Sequence, residues 1–307
     1  STSLKADSYH HLSDSLSSVG SILGIVGIII GGNWAILDPI ACIIIALLFL
    51  VSISTFLCLP ASAQFAGNYF DVNVSGGVQT PSYSPMDSGV SHTSGIGGGV
   101  SIGYKHFFND NFGIGTGFGV SFYNAYGKCQ FVERDSIMDA SNSKVADVTT
   151  SYMQWTEKQK FAQLEIPIGA YYQREIGYKM SFQAGGGLLV GFPVGARYYI
   201  TEGNIQQSFV LSVNPDKIEP SATINGDNEC SGDLERKNAT LGFFVDLGLH
   251  KWTKKGVGFY TGLFARYTAS DVLVPKTQSI TNPNGVYNGI LASNQVTDVN
   301  LLAIGLK

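Results

Sequence analysis

The sequence predicts an all-β fold: an eight-stranded antiparallel transmembrane β-barrel, preceded by two hydrophobic α-helical segments. Three observations predict it. After residue 64, apolar residues alternate with glycine or polar residues at a period of two, which is the pattern of a strand with two unlike faces. The connections between these runs alternate between short turns and long polar loops, as in barrels that cross a membrane. Charged residues make up only 14% of the chain, against about 25% in an ordinary soluble domain, while glycine supplies 37 residues, tyrosine 15 and phenylalanine 18. A formal charge of −4 leaves no basic footprint for nucleic acid, so that partner class is excluded.

The chain changes character near residue 63. Every long continuous apolar run lies before it, and three segments follow from that: 1–48, 41–63 and 64–307. In the first, "KADSYHHLSDSLSSVGSILGIVGIII" passes from polar residues into an apolar helix. His10 and Asp14 are four residues apart and share one helical face. An imidazole and a carboxylate so placed supply two of the roughly four ligands that a zinc-like cation takes, although this spacing also arises by accident. "ADSYHHLSDSLSSVGSILGIVGIIIG" followed by "WAILDPIACIIIAL" resembles the fifth and sixth transmembrane helices of the cation diffusion facilitators, exporters of zinc and manganese. The resemblance implies that His10 and Asp14 are half of the site that binds the transported ion, zinc or another divalent cation. The second half would come from an earlier helix, so the segment reads as an exporter fragment of inner-membrane type.

From Ile43 to Leu59 the chain is apolar and ends in "PASA" before Gln64. Ala61 and Ala63 form the small-x-small pattern of a signal-peptidase site. A basic region ahead of it is missing, and exporter-like sequence stands in its place. The stretch 41–63 therefore reads as a junction, one protein's helix running into another's signal peptide. An ordinary transmembrane helix that anchors the following domain is the alternative.

The body, 64–307, carries eight runs near 68–79, 96–106, 112–125, 159–173, 179–199, 238–251, 256–269 and 297–307. In "FGIGTGFGVSFY", Phe112, Ile114, Phe118, Val120 and Phe122 share a face opposite Gly113, Gly115, Gly117, Gly119 and Ser121. Met180, Phe182, Leu188, Val190, Phe192 and Val194 likewise alternate with small or polar residues that end in Arg197, and Leu241, Phe243, Val245, Leu247 and Leu249 oppose Gly242, Asp246 and Gly248. In a soluble sandwich the apolar face would be the core; in a membrane barrel it faces lipid. "FNDN", "REIGYK" and "TKKG" are short connections, whereas those near 80–95, 126–158, 200–237 and 270–296 are long and polar. An even number of strands closes the barrel without leaving an edge.

The face opposite the apolar one carries Asp71, Lys105, Glu165, Arg197, Asp246 and Arg266, three acids and three bases. An eight-stranded barrel is just wide enough for its side chains to fill. Buried charges persist only when paired or hydrogen-bonded, so a salt-bridged plug is expected instead of an open pore. "FAQLEIPIGAYYQ", the glycine-laced strands and the closing "VNLLAIGLK" resemble the small outer-membrane barrels of the PorT and outer-membrane-protein-A-like group. That resemblance implies an outer membrane of gram-negative type, with membrane lipid and the outer-membrane assembly machinery as partners. Members of that group end on an aromatic residue, so a chain stopping at Lys307 reads as clipped.

Catalytic signals are weak, and no enzyme activity is expected. "GVSIG" at 99–103 fits a nucleophile elbow, which needs a sharp strand-to-helix turn, but Ser101 lies inside a period-two run. A lipid-modifying hydrolase using an inward serine is the corresponding alternative, with His92, His106 and His250 as available histidines. Cys42 and Cys58 fall in the apolar front; Cys129 and Cys230 fall in polar segments and form either a disulfide or two thiols. No cofactor is expected for the barrel. Loop residues Tyr152–Trp155 and Phe209 would contact a surface ligand or anchor at the membrane interface.

Overall fold

A computed structural model describes residues 67–86, 89–139, 144–211, 218–225, 231–252, 258–274, 279–282 and 286–307. The candidate half-site of His10 and Asp14, the junction at 41–63 and Cys230 lie outside the described residues, as do the two expected helical segments. Among the described residues, no helix is long and apolar enough to cross a membrane.

The described chain is almost entirely strand: β1 (Gly67–Ser82), β2 (Val90–Ser94), β3 (Ile96–Phe107), β4 (Phe112–Cys129), β5 (Val132–Asp139), β6 (Lys144–Gly177), β7 (Met180–Leu211), β8 (Ile218–Asn225), β9 (Ser231–Asp233), β10 (Thr240–Trp252), β11 (Gly258–Thr268) and β12 (Asn300–Leu306). Eight of them close a ring, β4-β3-β1-β12-β11-β10-β7-β6, with β6 returning to pair β4. Every ladder in the ring is antiparallel. These eight are the runs that the alternation predicts. The short strands β2, β5, β8 and β9 lie off the ring and pair with β4, β6 and β7.

Pleating sends alternate residues to opposite sides of the ring. Outward positions are apolar and bare: Phe70 is 77% exposed, Val72 81% and Ile96 80%, and Phe112, Ile114, Leu241, Phe243 and Val245 are exposed too. Their sequence neighbours Gly113, Gly115, Gly242 and Phe244 are buried. The turn between β3 and β4 is set by Asn109, whose Oδ1 accepts the backbone N–H groups of Asn111 and Phe112.

Two of the long polar connections differ from expectation. Much of 126–158 and 200–237 is strand: β4 runs on to Cys129, β6 starts at Lys144 and β7 continues to Leu211. Their hydrogen bonds form a hairpin that overshoots the ring, and polar residues on both of its faces erase the alternation. Tyr152 and Trp155, expected as exposed loop aromatics, are buried there; Tyr152 stacks on Phe131 at 4.9 Å and Trp155 meets Tyr287 edge-on at 5.1 Å.

The larger buried cluster lies where β6 and β7 overshoot. Tyr123, Phe161, Tyr198, Phe264 and Leu301 from the strands pack with Val272, Leu273, Ile280 and Ile290 from the connection between β11 and β12. That connection carries a 3₁₀ turn, Ile290–Ala292, all three residues of which are buried. A smaller cluster of Phe107, Tyr171 and Phe244, with Tyr69 against it, forms inside the ring as well.

Candidate functional site

The lumen of the ring holds the charges. β1 and β3 place Asp71 opposite Gly103, two residues from Lys105 and on the same face. A β-carbon at residue 103 would collide with the Asp71 carboxylate, so glycine there makes room for the acid. Lys105 Nζ lies 3.0 Å from Asp71 Oδ2 and donates to Gln183 Oε1 at 3.1 Å. The same ammonium sits over the ring of Tyr171 at 4.7 Å. Tyr171 in turn occupies space that a side chain at Gly185 would take. Large inward residues on one strand thus face glycines on the next, the way a narrow barrel is filled.

Glu165 on β6 is 2% exposed and has three donors. Arg266 on β11 reaches its Oε2 at 2.7 Å, Ser121 donates to the same oxygen at 2.9 Å, and Tyr123 donates to Oε1 at 2.6 Å. Asp246 on β10 pairs with the ammonium of Lys307 at 3.1 Å, both side chains 9% exposed. The six charges therefore cancel in three pairs, drawn from β1, β3, β6, β10, β11 and the residue that follows β12. Buried charges are tolerable on those terms, because each has lost water but gained a counter-charge and hydrogen bonds. A cavity of about 30 Å³ remains among Asp71, Ser101, Glu165, Asp246, Arg266 and Lys307, enough for a water molecule and too small for a solute.

Five of the six charged residues expected inside are there: Asp71, Lys105, Glu165, Asp246 and Arg266. Arg197 is not. Its side chain is 54% exposed and pairs on the outside with Asp233 at 2.7 Å. The cause is one extra residue. Gln163 pairs with Pro193 but Ala162 pairs with Gly195, so Val194 bulges out of the ladder and the residues after it, through Ile200, change side. Arg236 donates to the Val194 carbonyl at 2.7 Å. Lys307 is the third cation in its place. It shares the face of Leu301 and Ala303, both buried, and period two in "VNLLAIGLK" points to it.

Glu157 is a further buried acid, one that the periodicity did not single out. It lies on β6 beyond the apolar belt, paired across to Gly127 and Ile200. Its carboxylate accepts from Gln159 Nε2 at 2.9 Å, Tyr287 OH at 2.6 Å and the Ile290 backbone N–H at 3.0 Å. Burial pushes this carboxyl above the ordinary carboxylate range, opposed by those three hydrogen bonds. The acid fastens the 3₁₀ turn to the barrel wall.

Ser101 sits mid-strand in β3, opposite Asn73 and Gly119, with no sharp turn around it. The histidines are engaged elsewhere: His106 with Asn68 at 2.8 Å, His92 against Tyr83 and His250 against Trp252. Cys129 is buried at the end of β4. Among the described residues, no group of three or more His, Cys, Asp and Glu side chains is placed to hold a metal ion.

No curated protein matches the chain. Residues 1–58 match the family model of the cation efflux transmembrane domain, so the similarity runs past the exporter-like segment and through the apolar stretch to Cys58.

Proposed function

We propose that residues 64–307 are a non-enzymatic outer-membrane β-barrel with a structural, adhesive or envelope-assembly role, closed to solutes by its own side chains. One observation carries this reading: the ring is inside-out, with bare apolar residues around its exterior and paired charges within. In water that exterior would be an exposed apolar surface far beyond what soluble monomers present. In a bilayer it is the lipid face, and the closed ladder leaves no unpaired backbone edge. The resemblance of the "LEIPIG" strand to the PorT and outer-membrane-protein-A-like group agrees with it. Membrane lipid and the assembly machinery are then the partners, and the long connections are the surface available to an external ligand. Signal-peptide cleavage after Ala63 would deliver the barrel.

Envelope fractionation of the full chain, followed by electrophoresis with and without boiling and mass spectrometry of the N-terminus, tests this. The expected product starts at Gln64, sits in the outer membrane and changes mobility when boiled. In planar bilayers it gives no stable conductance step. Recovery as a detergent-independent soluble monomer would overturn the reading.

The match at residues 1–58 favours a second reading, in which the front is part of an inner-membrane divalent-cation exporter and His10 and Asp14 contribute two metal donors. An intact front in the inner membrane, with zinc tolerance lost on His10→Ala, would support it over the first.

A further inference from the structure

Outward positions on β4, β6 and β7 change character where the apolar belt stops. Phe122 is the last exposed apolar residue of β4 on that face, followed outward by Asn124, Tyr126 and Lys128. Alongside, Asn124 pairs with Lys160 and Lys160 with Arg197; in the next row Tyr126 pairs with Lys158 and Lys158 with Tyr199. Two cations therefore stand directly opposite each other, Lys160 and Arg197, an arrangement that costs stability unless an anion joins it. Asp233 takes Arg197. Among the described residues, no carboxylate forms an ion pair with Lys128, Lys158 or Lys160. The two central lysines are held in place instead by tyrosine faces, Lys158 over Tyr126 at 5.7 Å and Lys160 over Tyr199 at 4.8 Å.

We propose that this basic and aromatic band binds the phosphate of a bilayer-lipid headgroup in the leaflet on the side of the long connections. The occupant follows from position and charge. Lys158 and Lys160 are two residues apart on one face, about 7 Å along the strand, and Arg197 lies one strand spacing away. A phosphate reached by these cations would have its acyl chains lying on Phe122 and Phe192, which continue the same faces into the belt. A free phosphate would gain only the charge contacts. The inference rests on the membrane reading of the barrel.

The test is native mass spectrometry of the full chain extracted from vesicles of equal parts phosphatidylcholine and phosphatidic acid, with inorganic phosphate as a competitor. The wild-type chain is expected to retain phosphatidic acid preferentially, and the retention to survive free phosphate. The double variant Lys158→Gln/Lys160→Gln is expected to lose about fivefold in preference per lysine. The charge-matched variant Lys179→Gln/Lys251→Gln, at the opposite end of the strands, is expected to keep it. Equal loss in both variants, no preference in an inserted wild-type chain, or displacement by inorganic phosphate would each overturn the inference alone. Failure of every form to insert, seen as mobility unchanged by boiling, would overturn the membrane reading and this inference with it.

Discussion

Replacing Arg266 by methionine removes one charge from the lumen and little volume. Glu165 is left 2% exposed without its counter-ion. Breaking a buried pair from one side costs about 3–5 kcal/mol, because the remaining charge keeps its desolvation penalty. The structure places this case near the low end. Ser121 and Tyr123 still donate at 2.9 and 2.6 Å, and the 30 Å³ cavity beside the pair can admit a water. We expect a loss of about 3 kcal/mol for Arg266→Met. Glu165→Gln/Arg266→Met removes both charges and is expected to cost about 1 kcal/mol or less, since a neutral pair of similar shape has no such penalty. Urea unfolding of the chain in detergent micelles, followed by tyrosine and tryptophan fluorescence, reads both. A single variant within 1 kcal/mol of wild type, or a double variant at the sum of its singles, would refute the buried-pair account.

Three further outcomes are expected. Val245→Arg, at an outward position 49% exposed, should destabilise the chain in a bilayer by about 2–4 kcal/mol, whereas an exposed site in water would tolerate it within about 0.5 kcal/mol; unfolding in vesicles distinguishes the two. Gly187→Ala should cost about 1–3 kcal/mol because its β-carbon would strike the Ile168 carbonyl, while Gly76→Ala, whose β-carbon meets nothing nearer than 3.9 Å, should be neutral in the same assay. Glu157 sets a pH dependence of the segment it fastens. Its folded-state pKa is raised, so the docked form binds its proton more tightly, is most stable below the ordinary value of 4.5 and weakens as pH rises through the raised value. The groups around it, Tyr287, Gln159 and the Ile290 N–H, bring no competing charge. Hydrogen exchange at 286–299, corrected for intrinsic rates, should be slower at acid than at neutral pH, and Glu157→Gln should flatten the difference.

The ring strands were legible because each of their faces has one chemical character. Phe112, Ile114 and Phe122 against Gly113, Gly115 and Ser121 admit only one orientation, and the even number of such runs implies closure. The overshooting hairpin was not legible. In "KVADVTTSYMQWTEKQK" polar residues occupy both faces, and only cross-strand hydrogen bonds and the packing of Trp155 reveal a strand. Arg197 was misplaced for a related reason: period two holds only within an unbroken ladder, and the Pro193 and Gly195 that flank Val194 in "GFPVGARYY" are the sign of a bulge that a strict period passes over. Lys307 needed only the same period carried to the last residue of β12's face. Glu157 stayed hidden because its partners Tyr287 and Ile290 lie far along the chain.

Seven of the eight ring ladders join strands that follow one another, or nearly so, along the chain, and each can grow as a hairpin or a neighbouring pair. The β1–β12 ladder, Gly76 to Leu306 through Ser82 to Asn300, is the exception. It joins residues with almost the whole barrel between them. Until it zips, the assembling sheet is an open ribbon whose two rims expose unbonded peptide groups and whose oily side has no partner. Closure is thus a single late step of high contact order, and a chaperone that shields the β1 rim while β12 is delivered would control the rate at which the barrel is completed.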